Sequence, residues 1–187
     1  MNAFDFDNTI YDGESAIDLF WFCIREDKKM RRHIPLVIAD LVLYKLGLAG
    51  IDKVCRDIET VCQAIVRNRD RFEEKVAEFW EINGCKLKKQ FLDMIQPDDI
   101  IITASPQFII DGIRDKLNTR NVVSSVVNIN NGKVEFLCYR DNKVKRFNEL
   151  YGGRIDRFYT DSKNDLPLIA ISDKAFLVKN NRIKQIK

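Results

Sequence analysis

The chain has 187 residues, 45% hydrophobic and 32% charged, with a net charge of +3. That size and balance describe an ordinary globular protein with one core, or one core carrying an inserted subdomain. The small charge leaves no footprint for nucleic acid. The five cysteines are odd in number and form no C-x-x-C pair, so they read as reduced, mostly buried thiols of a cytoplasmic protein.

Met1-Asn2-Ala3-Phe4 is enough for one short strand, and no leader is expected before Asp5. Then comes Phe4-Asp5-Phe6-Asp7-Asn8-Thr9, with the turn formers Asp12 and Gly13 after it. Residues two apart on a strand share a face, so Asp5 and Asp7 converge where the strand ends. Two such carboxylates repel unless a cation intervenes, which suits a hard divalent metal, Mg²⁺ foremost. The single histidine, His33, sits in a basic run with Lys28, Lys29, Arg31 and Arg32. Any Ser-His-Asp or histidine-rich zinc chemistry would have to use it. No glycine-rich phosphate or dinucleotide loop is present. Asp, Thr, Ser and Lys remain, and they suit a carboxylate nucleophile acting on a phosphate with metal assistance.

Helical spacing continues the chain. Ser15 opens a first helix, with Asp18 as an approximate capping box and Ile17, Phe20, Trp21 and Ile24 in its apolar stripe. A second helix spans about Ile34 to Leu46, with Pro35 in its first turn. It is apolar nearly all round, too short to cross a bilayer, and interrupted by Asp40 and Lys45. It reads as a helix buried in a bundle in preference to an interfacial segment with the basic run near lipid headgroups. After Gly47 and Gly50 a third helix covers Asp52 to Arg67; a fourth starts near Asp70, and another carries Leu87, Phe91, Met94 and Ile95. So long a helical stretch exceeds an ordinary crossover and predicts an inserted helical subdomain over residues 14–96, with the core formed by 1–13 and 97–187.

Beyond Pro97-Asp98-Asp99 short strands alternate with helices. Ile100 to Ala104 reads as a buried parallel strand, Pro106 to Leu117 as a helix, and Val122 to Ile129 as a strand. Asn130-Asn131-Gly132 turns a hairpin into Val134–Leu137. Lys143 to Tyr151 is a helix, Ile155 to Tyr159 a strand, Leu166 to Ser172 a helix, and Ala175 to Val178 the last core strand, followed by an Asn180-Asn181 turn. The expected class is α/β: a three-layer Rossmann-like core with a parallel sheet, plus an inserted all-helical cap. Ligands of such sheets bind beyond the carboxyl ends of the strands. Those ends carry Asp5 and Asp7, Thr103 and Ser105, and Asp161 and Asp165, with Lys143 opening a helix in the same half.

In this order the set resembles the haloacid dehalogenase superfamily at all of its motif positions. Phe-Asp-Phe-Asp-Asn-Thr, Ile-Ile-Thr-Ala-Ser-Pro, Asn142-Lys143-Val144-Lys145-Arg146-Phe147 and Tyr159-Thr160-Asp161-Ser162-Lys163-Asn164-Asp165 match its motifs in sequence. The nearest subgroup is the phosphoserine-phosphatase-like hydrolases with a helical C1-type cap. The resemblance implies that Asp5 is the nucleophile, forming an aspartyl phosphate, and Asp7 the general acid and base. It implies Mg²⁺ held by Asp5, the main-chain carbonyl of Asp7, and Asp161, with Asp165 completing or orienting the shell. Thr103 and Lys143 would hold the phosphoryl group, with Ser105 beside them. Taken singly, Ser105 and Ser162 read equally as helix caps, and Asp165 as a charge at a helix N-terminus.

The substrate expected is a small phosphorylated metabolite. Glu14 lies where amino-acid phosphatases of the superfamily carry an acidic residue for the substrate's amino group, which points to a phosphoserine-like compound; otherwise Glu14 is a first-turn helix charge. Arg25, Arg31 and Arg32 are the candidates to meet a substrate carboxylate. The apolar second helix supports an alternative, a lipid-like phosphomonoester with some membrane-surface contact. A third reading is a non-catalytic phosphate- or partner-binding module.

Overall fold

In the computed structural model, which describes residues 1–45, 51–67, 71–179 and 182–187, a strand of only three residues occupies the centre. β1 (Asn2–Phe4) lies between β2 (Ile100–Pro106) and β5 (Ile155–Thr160), parallel to both. Three residues are too few to hold such a place alone, so the neighbours clamp them. Asn2 N donates to Asp99 Oδ1 at 2.8 Å, Asp5 N to the Tyr159 carbonyl at 2.8 Å, and Asp156 N to the Met1 carbonyl at 2.9 Å. The Phe4 ring stacks on Tyr159, with centroids 4.8 Å apart.

Outward from this centre run β3 (Asn121–Val127) and β4 (Val134–Phe136) on one side, and β6 (Ser172–Lys179) and β7 (Arg182–Gln185) on the other. The order is β4-β3-β2-β1-β5-β6-β7. The five inner strands are parallel, and both edge strands pair antiparallel, so the sheet is mixed. β7 answers no sequence expectation. Its residues, Arg-Ile-Lys-Gln, are mostly exposed and polar, as suits an edge strand, and give no apolar run to read.

Alternation along the strands builds three layers. Ala3, Ile100, Ile102, Val123, Phe158 and Ala175 face α7 (Asp141–Leu150) and α8 (Leu166–Ile171), whose Phe147, Leu168 and Ile169 join the same cluster. Phe4, Ile101 and Tyr159 face the other way. There they meet residues of α1 (Ser15–Glu26), α4 (Phe72–Asn83), α5 (Lys89–Met94) and α6 (Gln107–Asp111). The helices between β1 and β2 therefore share one continuous apolar cluster with the sheet. α2 (Ile34–Lys45) and α3 (Ile51–Val66) lie farther along the same insertion. Leaving and returning chain are stapled together: Lys88 Nζ donates to the Asn8 carbonyl at 2.6 Å, and Lys88 N to that of Ile10 at 2.8 Å.

Several expectations need correction. The helix expected over Pro106–Leu117 is α6 alone, followed by a 3-10 turn at Arg114–Lys116. Trp80 Nε1 donates to the Ile109 carbonyl at 2.8 Å, and Ile113 N turns to Ile110 at 3.1 Å, which tightens and ends the helix. The capping box at Ser15 does not form: the residue at the N-cap is Glu14, and its side chain makes no cap hydrogen bond. Ser15 N donates instead to Asp7, while Asp18 takes Tyr11 Oη at 2.6 Å and Lys86 Nζ at 2.9 Å. α2 is not buried on all sides, since Val37 is enclosed but Ile38 and Val42 are 48% and 50% exposed. Leu46, Gly47, Gly50, the start near Asp70 and the Asn180-Asn181 turn lie outside the described residues. Among those described, no helix is long and apolar enough to cross a membrane.

Candidate active site

Register sets where the first carboxylate emerges. Phe4 pairs with Ile101 on one side and Tyr159 on the other, so Asp5 leaves the sheet at the carboxyl end of β5, while β2 runs on beside it to Pro106. The chain then turns sharply: the Phe6 carbonyl accepts the N–H groups of Thr9, Ile10 and Tyr11, and Asn8 adopts a φ of 58°. The turn carries Asp7 to the mouth of the same small cavity, about 40 Å³. Asp5, Asp7, Glu14, Lys143, Asp161 and Asp165 all line it, with Ala104, Tyr139, Ser162 and Asn164.

Lys143 is the hub. Its ammonium lies 2.9 Å from Asp5 Oδ1 and 2.7 Å from Asp165 Oδ1, and all three side chains are buried. Burial alone would lower the Lys143 pKa, but the two carboxylates outweigh it and hold the amine firmly charged. Lys145 is exposed. Asp165 Oδ2 also accepts from Thr160 Oγ1 at 2.7 Å, so Asp165 is tied down at both oxygens. Ser162 caps the 3-10 turn at Lys163–Asp165 by accepting from Asn164 N at 3.1 Å.

Asp7 has a different environment from its near neighbour. Oδ1 accepts from Ser15 N at 2.7 Å, the first residue of α1, where an anion is favoured by the free N–H groups. Oδ2 accepts from Ser105 Oγ at 2.5 Å, and the Ser15 and Ser105 hydroxyls meet at 2.8 Å. Ser105 therefore is no helix cap; it belongs to Asp7. Thr103 Oγ1 accepts from Ser105 N at 3.0 Å, and Ala104, not Thr103, forms the pocket wall. Glu14 accepts from Asn8 Nδ2 at 2.8 Å.

The charges are crowded: five carboxylates line the pocket against one ammonium. Burial raises the Asp5 pKa well above the ordinary value, Lys143 pulls it back, and Asp165 and Asp161 push it up again. Burial raises Asp7, opposed by its Ser105 and Ser15 hydrogen bonds. Burial, then Asp165, pushes Asp161 up to about 6, and burial, then Asp7, pushes Glu14 up to about 7. Such a site asks for added positive charge from hard, oxygen-seeking cations. Among the described residues no group of three or more acidic, thiol or imidazole side chains is placed to hold a metal ion by itself. Asp161 takes no part in the hydrogen bonds that fix Asp5, Asp7 and Asp165.

Sequence reasoning passed over Ser15 as an Asp7 partner, Thr160 as an Asp165 partner, and Tyr139 as a wall. Thr160 had a signal, since it ends β5 immediately before Asp161.

A family model described as haloacid dehalogenase-like hydrolase matches residues 3–170. The chain belongs to that family. No curated relative matches it. Among solved structures, a Bordetella pertussis Tohama I protein of unknown function superposes with a TM-score of 0.72 at 20% identity, over 94% of this chain and 87% of that one. A phosphoserine phosphohydrolase-like protein from Francisella tularensis gives 0.62 at 17% identity, over 97% and 88%. A phosphoserine phosphatase in its phospho-aspartyl intermediate analogue form gives 0.54 at 13%, over 92% and 83%. At these identities the likeness is one of fold, and it makes the α/β Rossmann-like architecture that of this family.

Proposed function

We propose that the chain is a Mg²⁺-dependent phosphomonoester hydrolase working through an aspartyl phosphate on Asp5. The supporting observation is the contrast between two buried carboxylates two positions apart: Asp5 is held by the Lys143 ammonium, Asp7 by Ser15 N and the Ser105 hydroxyl. Carboxylates set in different environments take different roles.

Asp5, anchored through Oδ1, attacks phosphorus with its other oxygen, and the ester P–O bond breaks. Asp7 gives its proton to the departing oxygen. Water then attacks the aspartyl phosphate; Asp7 takes back a proton, the P–O bond to Asp5 breaks, and inorganic phosphate leaves. Lys143 keeps Asp5 and Asp165 apart and neutralised throughout, so the phosphoryl group meets prearranged charge. Mg²⁺ would suit the excess of carboxylates: Asp5, Asp161 and the Asp7 carbonyl would hold it, Asp165 would orient them, and it would supply positive charge for the entering phosphate. Residues 14–96 act as the cap that covers this pocket.

The test is phosphate release from p-nitrophenyl phosphate. Activity that needs Mg²⁺, stops with chelator and falls on the order of 10³-fold or more in Asp5→Asn supports the assignment. Release unchanged in Asp5→Asn refutes it.

A further inference from the structure

We infer that the leaving group of the substrate is apolar and uncharged; this rests on the phosphomonoesterase reading and specifies its substrate class. The pocket holding Asp5 and Lys143 adjoins a second cavity of about 220 Å³, and the two share Asp7, Glu14, Ala104 and Tyr139 as walls. A phosphoryl group against Asp5 therefore places its ester oxygen beside Asp7 and sends the rest of the molecule into the larger space.

That space is lined chiefly by Ile17, Phe20, Ile58, Val61, Phe108 and Leu137, brought together from α1, α3 and the carboxyl-end region of the sheet. Beside it α3 is tied to the β3–β4 hairpin, where Val134 N donates to Glu59 Oε1 at 3.0 Å. None of its described lining residues is Lys, Arg or His. The charged ones are carboxylates: Asp7 and Glu14 at the mouth, and Asp40 and Asp57, both bound by Lys53. A leaving group with a carboxylate of its own, as in phosphoserine, meets carboxylates there and no cation among the described lining residues, the nearby Lys53 being taken up by Asp40 and Asp57. A hydrocarbon chain or ring meets apolar walls and gains by leaving water.

The test is phosphate release with Mg²⁺ from ethyl, butyl and octyl phosphate, each below its aggregation concentration, and from O-phosphoserine. Each added methylene is expected to raise kcat/KM roughly three- to four-fold, so octyl phosphate, six methylenes longer, should exceed ethyl phosphate on the order of 10³-fold. Phosphoserine should fall below butyl phosphate. Octyl phosphonate should bind the wild-type protein at least about 100-fold more tightly than ethyl phosphonate. Val61→Trp, which fills the cavity, should cut the octyl-to-ethyl ratio at least ~10-fold. Turnover indifferent to chain length, or a preference for phosphoserine, overturns this inference and leaves the phosphatase assignment standing. No phosphate from any ester overturns both.

Discussion

Ser105 donates its hydroxyl to Asp7 at 2.5 Å, across 98 positions of chain, and so ties the end of β2 to the turn after β1. A hydrogen bond to an ionised group is worth more than a neutral one, and this one favours the charged form of Asp7. Ser105→Ala should therefore lower kcat by about 10- to 50-fold, because Asp7 then lacks the partner that fixes its orientation. KM should change by less than about threefold, since Ser105 is buried and its hydroxyl is committed to Asp7. Steady-state kinetics on p-nitrophenyl phosphate checks both numbers; a rise in KM with kcat intact would place Ser105 on the substrate instead.

Lys143 carries a structural role alongside its chemical one. It is 4% exposed and pairs with two carboxylates that are themselves buried. Removing one member of a buried ion group leaves the others uncompensated, at a cost of about 3–5 kcal/mol. Lys143→Met should lose about that much in urea unfolding without divalent metal. Adding Asp5→Asn should restore part of the loss, because one of the stranded charges is gone. Equal stability of wild type and Lys143→Met would mean the carboxylates are neutral in the free protein.

The sequence carried the inner sheet well because buried parallel strands are written as apolar runs: Ile100-Ile101-Ile102 needs no tertiary knowledge to read. α1, α3 and α4 were legible from their helical spacing, and the pocket from carboxylates placed at strand ends. What stayed hidden was decided by contacts from afar. A local Ser-x-x-Asp pattern announced a cap at Ser15, but Asp7 reached its N–H first. α6 stops where Trp80, distant in sequence, takes its carbonyl. α2 is apolar all round, so no stripe told which side would be covered and which would leave Ile38 and Val42 in water. The large cavity exists only once α1 and α3 stand over the ends of β2 and β3.

Glu14 makes the free protein sensitive to pH. Burial, Asp7 and Asp161 raise it from the ordinary 4.5 to about 7. A carboxyl raised on folding gives its full support below the unfolded value, and that support is lost as pH climbs through the folded one. Between about pH 4.5 and 7 the unfolded chain ionises Glu14 while the folded state keeps it protonated, so stability falls as pH rises, until above about 7 the folded state ionises it too. Glu14→Gln removes that titration while leaving an oxygen for Asn8. At pH 8, without metal, the variant should be more stable by about 2 kcal/mol, and at pH 4 equal to wild type. Urea midpoints at the two pH values decide it; equal gains at both would assign the effect to packing.

Gly112 marks how closely the insertion sits on the core. It follows α6, and a Cβ added there would stand 2.7 Å from Val76 Cγ1 and 2.8 Å from Trp80 Cδ1, both on α4. Those side chains are 6% and 3% exposed and packed in the cluster that runs from the sheet into the helices. Neither is the loose end of a long chain, and Trp80 is also pinned through its hydrogen bond to Ile109. Gly112 has a helical φ of −64°, so its backbone imposes no strain on an L-residue and the effect is purely one of space. Gly112→Ala should therefore destabilise by about 1–3 kcal/mol through overpacking. Trp80→Phe frees part of that space and should make the same glycine substitution less costly, at its own cost of about 1–3 kcal/mol for the unpaired Ile109 carbonyl. A double-mutant cycle on thermal unfolding measures the coupling; strict additivity would mean that α4 and the end of α6 yield independently.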